Sequence, residues 1–298
     1  MTNDRRTDLL ATGALVWAAA LFGTSFVVVK GGLDHVRPIP YIALRFLIAG
    51  VVLAAIGWWG GGHTSRATWR IGVAAGTTYT IGMVCQTYGL ERIDASASAF
   101  LTYLLIVVVP IIMYVRTGRP PDRLTFTAIG VSLTGLVLLT GGQVGFGLGT
   151  VLTLMGAVSF ALHLVQVGDA ATSGVQMMRF NAIQCLFIGV VLAPLVPFTG
   201  GMPTATEGWV VIVYAAIFVT VLTLVPWGWA QRHVPPTRAA LILLMEPVFA
   251  AIAGYATGER MNAAAVAGAA LILAGAVLAE LPALLHRSPN PARRRRTA

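Results

Sequence analysis

Apolar residues in this chain come in long blocks separated by short polar joints, with no sustained alternation at a period of two. That absence argues against a transmembrane β-barrel, whose strands must alternate between lipid and lumen. Ten blocks approach the roughly 20 residues that a helix needs to cross a bilayer. They lie near Leu9–Val29, Pro38–Trp59, Trp69–Leu90, Ala95–Val115, Leu124–Thr140, Leu148–Val167, Gln176–Val196, Trp209–Ala230, Thr237–Ala256 and Ala263–Leu285. The first block follows Asp4, Arg5, Arg6 and Asp8, lacks a small-residue cleavage site and is longer than a signal-peptide core, so it is expected to be retained. The pattern predicts an all-α membrane protein of ten transmembrane helices.

Composition agrees with the pattern. Of 298 residues, 57% are hydrophobic and 10% charged, against about 25% charged in soluble domains. So little charge cannot clothe a water-facing surface. With the N-terminus placed in the cytoplasm, the cytoplasmic ends and joints hold fourteen arginines, among them Arg66, Arg70, Arg116, Arg119, Arg123, Arg232 and Arg238. The opposite ends hold four basic residues, Lys30, Arg37, Arg92 and Arg260, while Arg45 and Arg179 fall just inside blocks. The positive-inside rule then places both termini in the cytoplasm. This bias and the terminal run Arg293–Arg296 account for the net charge of +9 without invoking nucleic acid. Cys85 and Cys185 both lie inside blocks and read as small packing residues.

The blocks repeat. Ser25-Phe26 in the first recurs as Ser159-Phe160 in the sixth, and Arg45-Phe46 in the second recurs as Arg179-Phe180 in the seventh, both 134 positions later. Farther along the register drifts: "GVSL" at 130–133 answers "GAAL" at 268–271, and Pro110 answers Pro247 only to within about a turn. Five spans per repeat is an odd number, so the second half must enter the membrane from the opposite side. Inverted repeats of this kind are characteristic of secondary transporters. The expected division is a first five-helix repeat over 9–141, a linker over 142–147, a second repeat over 148–285 and a basic tail over 286–298. The glycines of "GGQVGFGLG" suit a flexible join; no strand precedes them and no Lys-Ser/Thr follows, as a phosphate loop would require.

The segments "FGTSFVVVKGG", "YIALRFLIAGVVLA", "SASAFLTYLLIVVVP", "AALILLMEPVFAAIAG", "GER" and "GAALILAGAVLAEL" together resemble the drug/metabolite transporter superfamily in its ten-helix EamA branch. The resemblance covers nearly the whole chain. Phe22-Gly23 stands where that family commonly has Trp-Gly, and Gly258-Glu259-Arg260 is answered after the fourth block only by Gly118-Arg119-Pro120. The resemblance implies an inner-membrane carrier that exports small metabolites, most often amino acids. Other metabolites or cationic drugs, moved by facilitated diffusion or with protons, are the alternative.

Polar groups facing lipid are costly, so those within the blocks should face the bundle interior. Ser159, His163 and Gln166 lie on one face of the sixth block. They can line a cavity or bond to neighbouring helices, at about 0.6 kcal/mol per bond. Tyr79 and Gln86 share a face of the third block, Thr220, Thr223 and Trp227 one of the eighth, with Ser25 in the first and Tyr103 in the fourth. Ser25, Tyr79, Gln86, Tyr103, His163, Gln166, Trp227 and Glu246 are the candidate cavity residues, and such aromatic and amide groups suit a small zwitterion. Lys30, the only lysine, can snorkel to headgroups or attract a carboxylate to a cavity mouth. Arg45 and Arg179 sit where the helix dipole disfavours a cation. Asp34 and Asp169 precede them by 11 and 10 residues, so symmetric Asp–Arg clamps are expected, with snorkelling as the alternative.

Glu246 lies in an otherwise apolar run, "LILLMEPVFAAIAG", and Pro247 follows it. The proline has no N–H, which leaves the carbonyl of Leu243 without its helical partner and predicts a kink. Protonated, Glu246 can donate to a freed carbonyl; ionised, it must meet a cation, water or a substrate ammonium. Either a structural hinge or a part in coupling follows. Pro110 and Pro247 are the expected bending points.

No HExxH, GxSxG, Cys/His cluster or paired aspartates at metal spacing is present, so no catalytic residue, metal or cofactor is expected. A receptor or membrane enzyme would not require an inverted repeat. Each chain holds both repeats, so a monomer suffices.

Overall fold

The computed structural model describes residues 3–32, 34–59, 61, 63–93, 95–141, 147–256 and 262–285. The 142–146 join, Gly258-Glu259-Arg260, the tail from 286 and the Lys30 side chain lie outside the described parts.

The described residues are almost wholly helical. Helices α1 (Asn3–Gly32), α2 (Pro38–Trp58) and α3 (Arg66–Leu90) form the first three spans. The fourth span is α4 (Ala95–Tyr103) plus α5 (Leu105–Thr117), and the fifth is α6 (Arg123–Thr140). The second half begins with α7 (Leu148–Thr172), the sixth span, then α8 (Met177–Leu192), the seventh. The eighth span joins α9 (Thr206–Tyr214) to α10 (Leu222–Ala230) through a π-helical segment, Ala215–Val221. The ninth is α11 (Pro236–Leu243) plus α12 (Glu246–Ala256), and the tenth is α13 (Ala263–Leu285). Among the described residues, nine of these spans are long and apolar enough to cross a membrane by length and composition. The remaining one, α3, has the length, with 25 residues. Its Thr77, Thr78, Tyr79, Thr80, Gln86 and Thr87 make it more polar than its neighbours.

Local chemistry sets the helix ends. Ser65 and Asp122 cap α3 and α6 by accepting from the amides of Thr68 (3.1 Å) and Thr125 (2.7 Å). Pro38 starts α2, and Gly118 and Gly141 end α5 and α6 with φ of 66° and 75°, a left-handed conformation that glycine adopts without penalty. Large apolar side chains including Val51, Ile111, Phe126, Val190, Val210 and Val277 stay exposed around the bundle. In a membrane protein this is the lipid-facing surface.

The principal packing pairs are α6–α13, α2–α8, α3–α7, α3–α8 and α1 with α10 and α12, joined by α7 with α4 and α5 and α2 with the eighth span. Exchanging each span with the one five places later preserves the set. Two–seven and five–ten map onto themselves, three–six maps onto eight–one, and four–six onto nine–one. The α2–α8 pair also sets the register of the repeat. A side chain at Gly50 would meet Leu186, and one at Gly189 would meet Leu47. These reciprocal contacts relate 47 to 186 and 50 to 189, an offset of 139 in both cases. The structural counterpart of Arg45 is therefore Gln184, not Arg179, and the offset of 134 suggested by the repeated Arg-Phe is corrected by five positions.

Candidate functional site

A cavity with about 150 Å³ of space for water-sized molecules opens within the bundle. One ordered water needs roughly 10–15 Å³ on this measure, so the space suits a small metabolite. It is lined from spans one, two, three, four, six, eight and nine, and thus from both halves. On one side its lining reaches Val29 and Leu90, within a turn of the ends of α1 and α3 remote from the N-terminus. His163, Leu164, Trp227 and Leu243 line its other side.

Of the residues singled out from the sequence, Ser25, Tyr79, Gln86, Tyr103, His163, Trp227 and Glu246 line this cavity. Gln166 does not. It accepts from Thr78 Oγ1 at 2.6 Å, while Ser159 donates to the Thr78 carbonyl at 2.6 Å, so two members of the polar face of α7 tie it to α3. His163 is the member that meets the cavity.

An aromatic group fills one part of the wall. Tyr79 stacks on His163, centroids 4.3 Å apart, and meets Phe46 and Phe160 edge-on at 5.1 and 6.0 Å. Trp227 stands edge-on to His163 at 5.7 Å and to Phe22 at 6.2 Å. Such contacts hold the rings in fixed orientations, each adding about 0.5–1.5 kcal/mol beyond burial. Trp227 Nε1 is buried and has no hydrogen-bond partner among the described residues. Behind the ring of His163 runs a chain of buried amides. His163 Nε2 bonds Gln184 Oε1 (2.8 Å), Gln184 Nε2 donates to Asn181 Oδ1 (2.8 Å), and Asn181 Nδ2 donates to the Leu224 carbonyl (3.0 Å). This chain locks spans six, seven and eight together. Asn181 and Gln184 were not singled out from the sequence, although amides three positions apart in an apolar helix carry the same signal as the face of α7.

Arg45 enters the cavity from α2, one helical turn after Tyr41. Its Nη1 donates to the Tyr41 hydroxyl at 2.9 Å, and its Nε donates to Thr220 Oγ1 at 2.9 Å. Thr220 in turn donates to the Ala215 carbonyl five residues back, within the π-helical segment. The wider turn carries Thr220 to the arginine; segments of this kind recur at functional sites. The guanidinium also lies over the Phe46 ring at 5.1 Å. Arg45 is buried, and no carboxylate lies within 4 Å of it among the described residues.

The expected Asp–Arg clamps are replaced by other contacts. Asp34 sits exposed in the turn before α2, and Asp169 pairs with Arg116 at 2.8 Å. Arg179 donates to the carbonyls of Gly57 (2.9 Å) and Gly61 and to Thr64 Oγ1 (3.4 Å), and lies over Trp58. It thus satisfies carbonyls at the C-terminal end of α2, where a cation is favoured. The two arginines were expected to play equivalent parts; the shift in register separates them.

Glu246 is the first residue of α12, and the chain breaks at Leu244–Met245 just before it. Pro247 thereby falls in the first turn of a helix, where its missing N–H costs nothing. The Glu246 carboxyl opens onto the cavity, which Tyr103 also lines from the fourth span. The fourth span breaks correspondingly at Leu104, with Pro110 buried inside α5. Gly23 of α1 lies against the ninth-span break: a Cβ there would sit 2.5 Å from the Glu246 carbonyl oxygen.

A model of the EamA-like transporter family matches residues 9–141 and 147–281. The chain belongs to this family. EamA proteins form part of the drug/metabolite transporter superfamily, so this is a multi-pass membrane transporter. The chain is 28% identical over 277 residues to an uncharacterized transporter of Archaeoglobus fulgidus, covering 91% of this chain and 84% of the relative. It is 26% identical over 258 residues to the uncharacterized inner membrane transporter YedA of Escherichia coli K12, covering 83% and 82%. A solved crystal structure superposes with a TM-score of 0.77 at 20% identity, over 93% of this chain and 99% of the other. That likeness extends the shared fold to nearly the whole chain.

Proposed function

We propose that this EamA transporter exports amino acids, aromatic or other neutral ones, across the bacterial inner membrane. The observation that carries the reading is the joint presence, in one cavity, of a buried arginine, a carboxyl group and a cluster of aromatic rings. A neutral amino acid carries the complementary set: an anion, a cation and an apolar side chain. The arginine-rich joints make the end bearing the N-terminus cytoplasmic, which puts both termini inside. The cavity reaches toward the opposite end, so this conformation faces outward. Alternating access then comes from rocking of the halves 9–141 and 148–285, with the breaks in spans four and nine as bending points. The role is transport, carried out by a chain that needs no cofactor and can act as a monomer.

Counterflow of labelled amino acids in liposomes containing the purified protein tests this reading. Saturable uptake of aromatic or apolar members is expected, and Glu246→Gln should abolish it while expression stays intact. Folded protein that moves no amino acid would end the assignment.

A further inference from the structure

Arginine stays charged in proteins, so Arg45 cannot relieve its burial by losing a proton. A buried cation needs a compensating anion or a full set of hydrogen bonds. Arg45 has no carboxylate within 4 Å among the described residues, and its hydrogen bonds are incomplete. Of its five N–H groups, Nε serves Thr220 and one on Nη1 serves Tyr41. The other N–H of Nη1 and both on Nη2 form the outer fork of a side chain that lines the cavity. Such a fork matches the two oxygens of a carboxylate. Glu246 lines the same cavity and lies beyond the 4 Å of an ion pair with Arg45, so the two side chains leave a gap between them.

We infer that Arg45 is the substrate's carboxylate receptor and that Glu246, with Tyr103, receives the ammonium group across the cavity. The side chain of the substrate then rests on the rings of Tyr79, His163 and Trp227. This rests on the amino-acid reading above, but its central claim is narrower: whatever is carried presents an anion to Arg45. Thr220 and Tyr41 act as positioning residues, fixing the fork from two separate spans. Because Thr220 sits on the π-helical segment, occupancy at Arg45 bears directly on the geometry of the eighth span.

The test is calorimetric binding of L-phenylalanine, 3-phenylpropionate and phenethylamine to purified full-length protein and to Arg45→Gln, Arg45→Lys and Glu246→Gln. Arg45→Gln should weaken phenylalanine and phenylpropionate by about 10- to 100-fold, as loss of a charge-assisted pair does, and leave phenethylamine unchanged. Arg45→Lys should restore part of the loss. Glu246→Gln should weaken the two amines and spare phenylpropionate. An equal loss for all three ligands, with a fall in thermal stability, would mean that Arg45 only supports the fold and would overturn the inference. So would carboxylate binding that Arg45→Gln leaves intact, or failure of the folded wild-type protein to bind either carboxylate at millimolar concentration. Arg45-dependent binding of phenylpropionate, without binding of phenylalanine and without counterflow of any amino acid, would uphold the receptor and sink the amino-acid reading alone.

Discussion

Arg45 and Arg179 begin the same dipeptide in corresponding spans, yet one faces the cavity and the other closes a helix end. Their difference lies in what each meets. Arg45 finds two hydroxyls and open space, whereas Arg179 finds backbone carbonyls that α2 cannot satisfy internally. Removal should separate them. Arg179→Ala is expected to lower stability by about 1–3 kcal/mol through the carbonyls it strands, seen as a lower unfolding temperature in detergent. Binding of substrate to the protein that remains folded should be unchanged. A similar contrast holds for the face of α7: the hydroxyl of Ser159 and the amide of Gln166 serve α3, while His163 reaches the cavity and the buried amides behind it. Sequence spacing placed these three on one face, but that face is wide enough to touch two surroundings.

Helix breaks matter more here than helix lengths. Spans four and nine each divide near the middle, and the eighth widens into a π-turn, so three of the cavity-lining spans depart from regular α-helix. Two of these departures place a lining residue, Tyr103 at the end of α4 and Glu246 at the start of α12, and the π-turn brings Thr220 to the lining residue Arg45. Pro247 announced the ninth-span break in the sequence. Pro110 announced the fourth only loosely, since the break falls six residues before it. Nothing in the sequence announced the π-turn, because no residue type demands one. Gly23 lets α1 pass close to the ninth-span break, and backbone cannot yield as a flexible side chain can. Gly23→Ala should therefore cost about 1–3 kcal/mol as overpacking, read as reduced folded yield and a lower unfolding temperature. An enlarged residue there that left both unchanged would show that α1 is free to move away.

Across the bundle, the cavity reaches toward one end while an ionic network around Arg238 lies at the other. Arg238 of α11 pairs with Glu280 of α13, lies 3.6 Å from Asp8 of α1 and bonds Thr12, whose hydroxyl donates to Glu280 at 2.9 Å. The Arg238 and Glu280 side chains are only 15% and 13% exposed, so their pairing is screened far less than a surface ion pair. Spans one, nine and ten are thereby tied together at the end that carries the N-terminus. If the bundle rocks, these ties must loosen. Glu280→Gln should shift the protein toward the state open at that end. In a background lacking Cys85 and Cys185, a cysteine at Leu164, which lines the cavity, should then react faster with a thiol reagent applied from the side that carries the N-terminus. An unchanged rate would assign the network to stability alone.

The ten spans, the membrane setting and the family were legible because each rests on local physics. In lipid a helix satisfies its own backbone, and some 20 apolar residues suffice to place it there whatever its neighbours do. Glu246 was legible for the same reason: a carboxyl in an apolar run must be answered wherever the run lies. The partner of each polar group was not legible. A slip of five positions between repeats turns a residue by about 140° around its helix and moves it about 7.5 Å along it. That slip separates an arginine facing a cavity from one capping a helix. The apolar blocks tolerate it without any change in hydropathy. Gly50–Ala54 does recur as Gly189–Ala193 at an offset of 139, but beside the competing Arg-Phe repeat it is the packing of Gly50 and Gly189 against opposing leucines that shows which register the bundle uses, and with it what Arg45 meets.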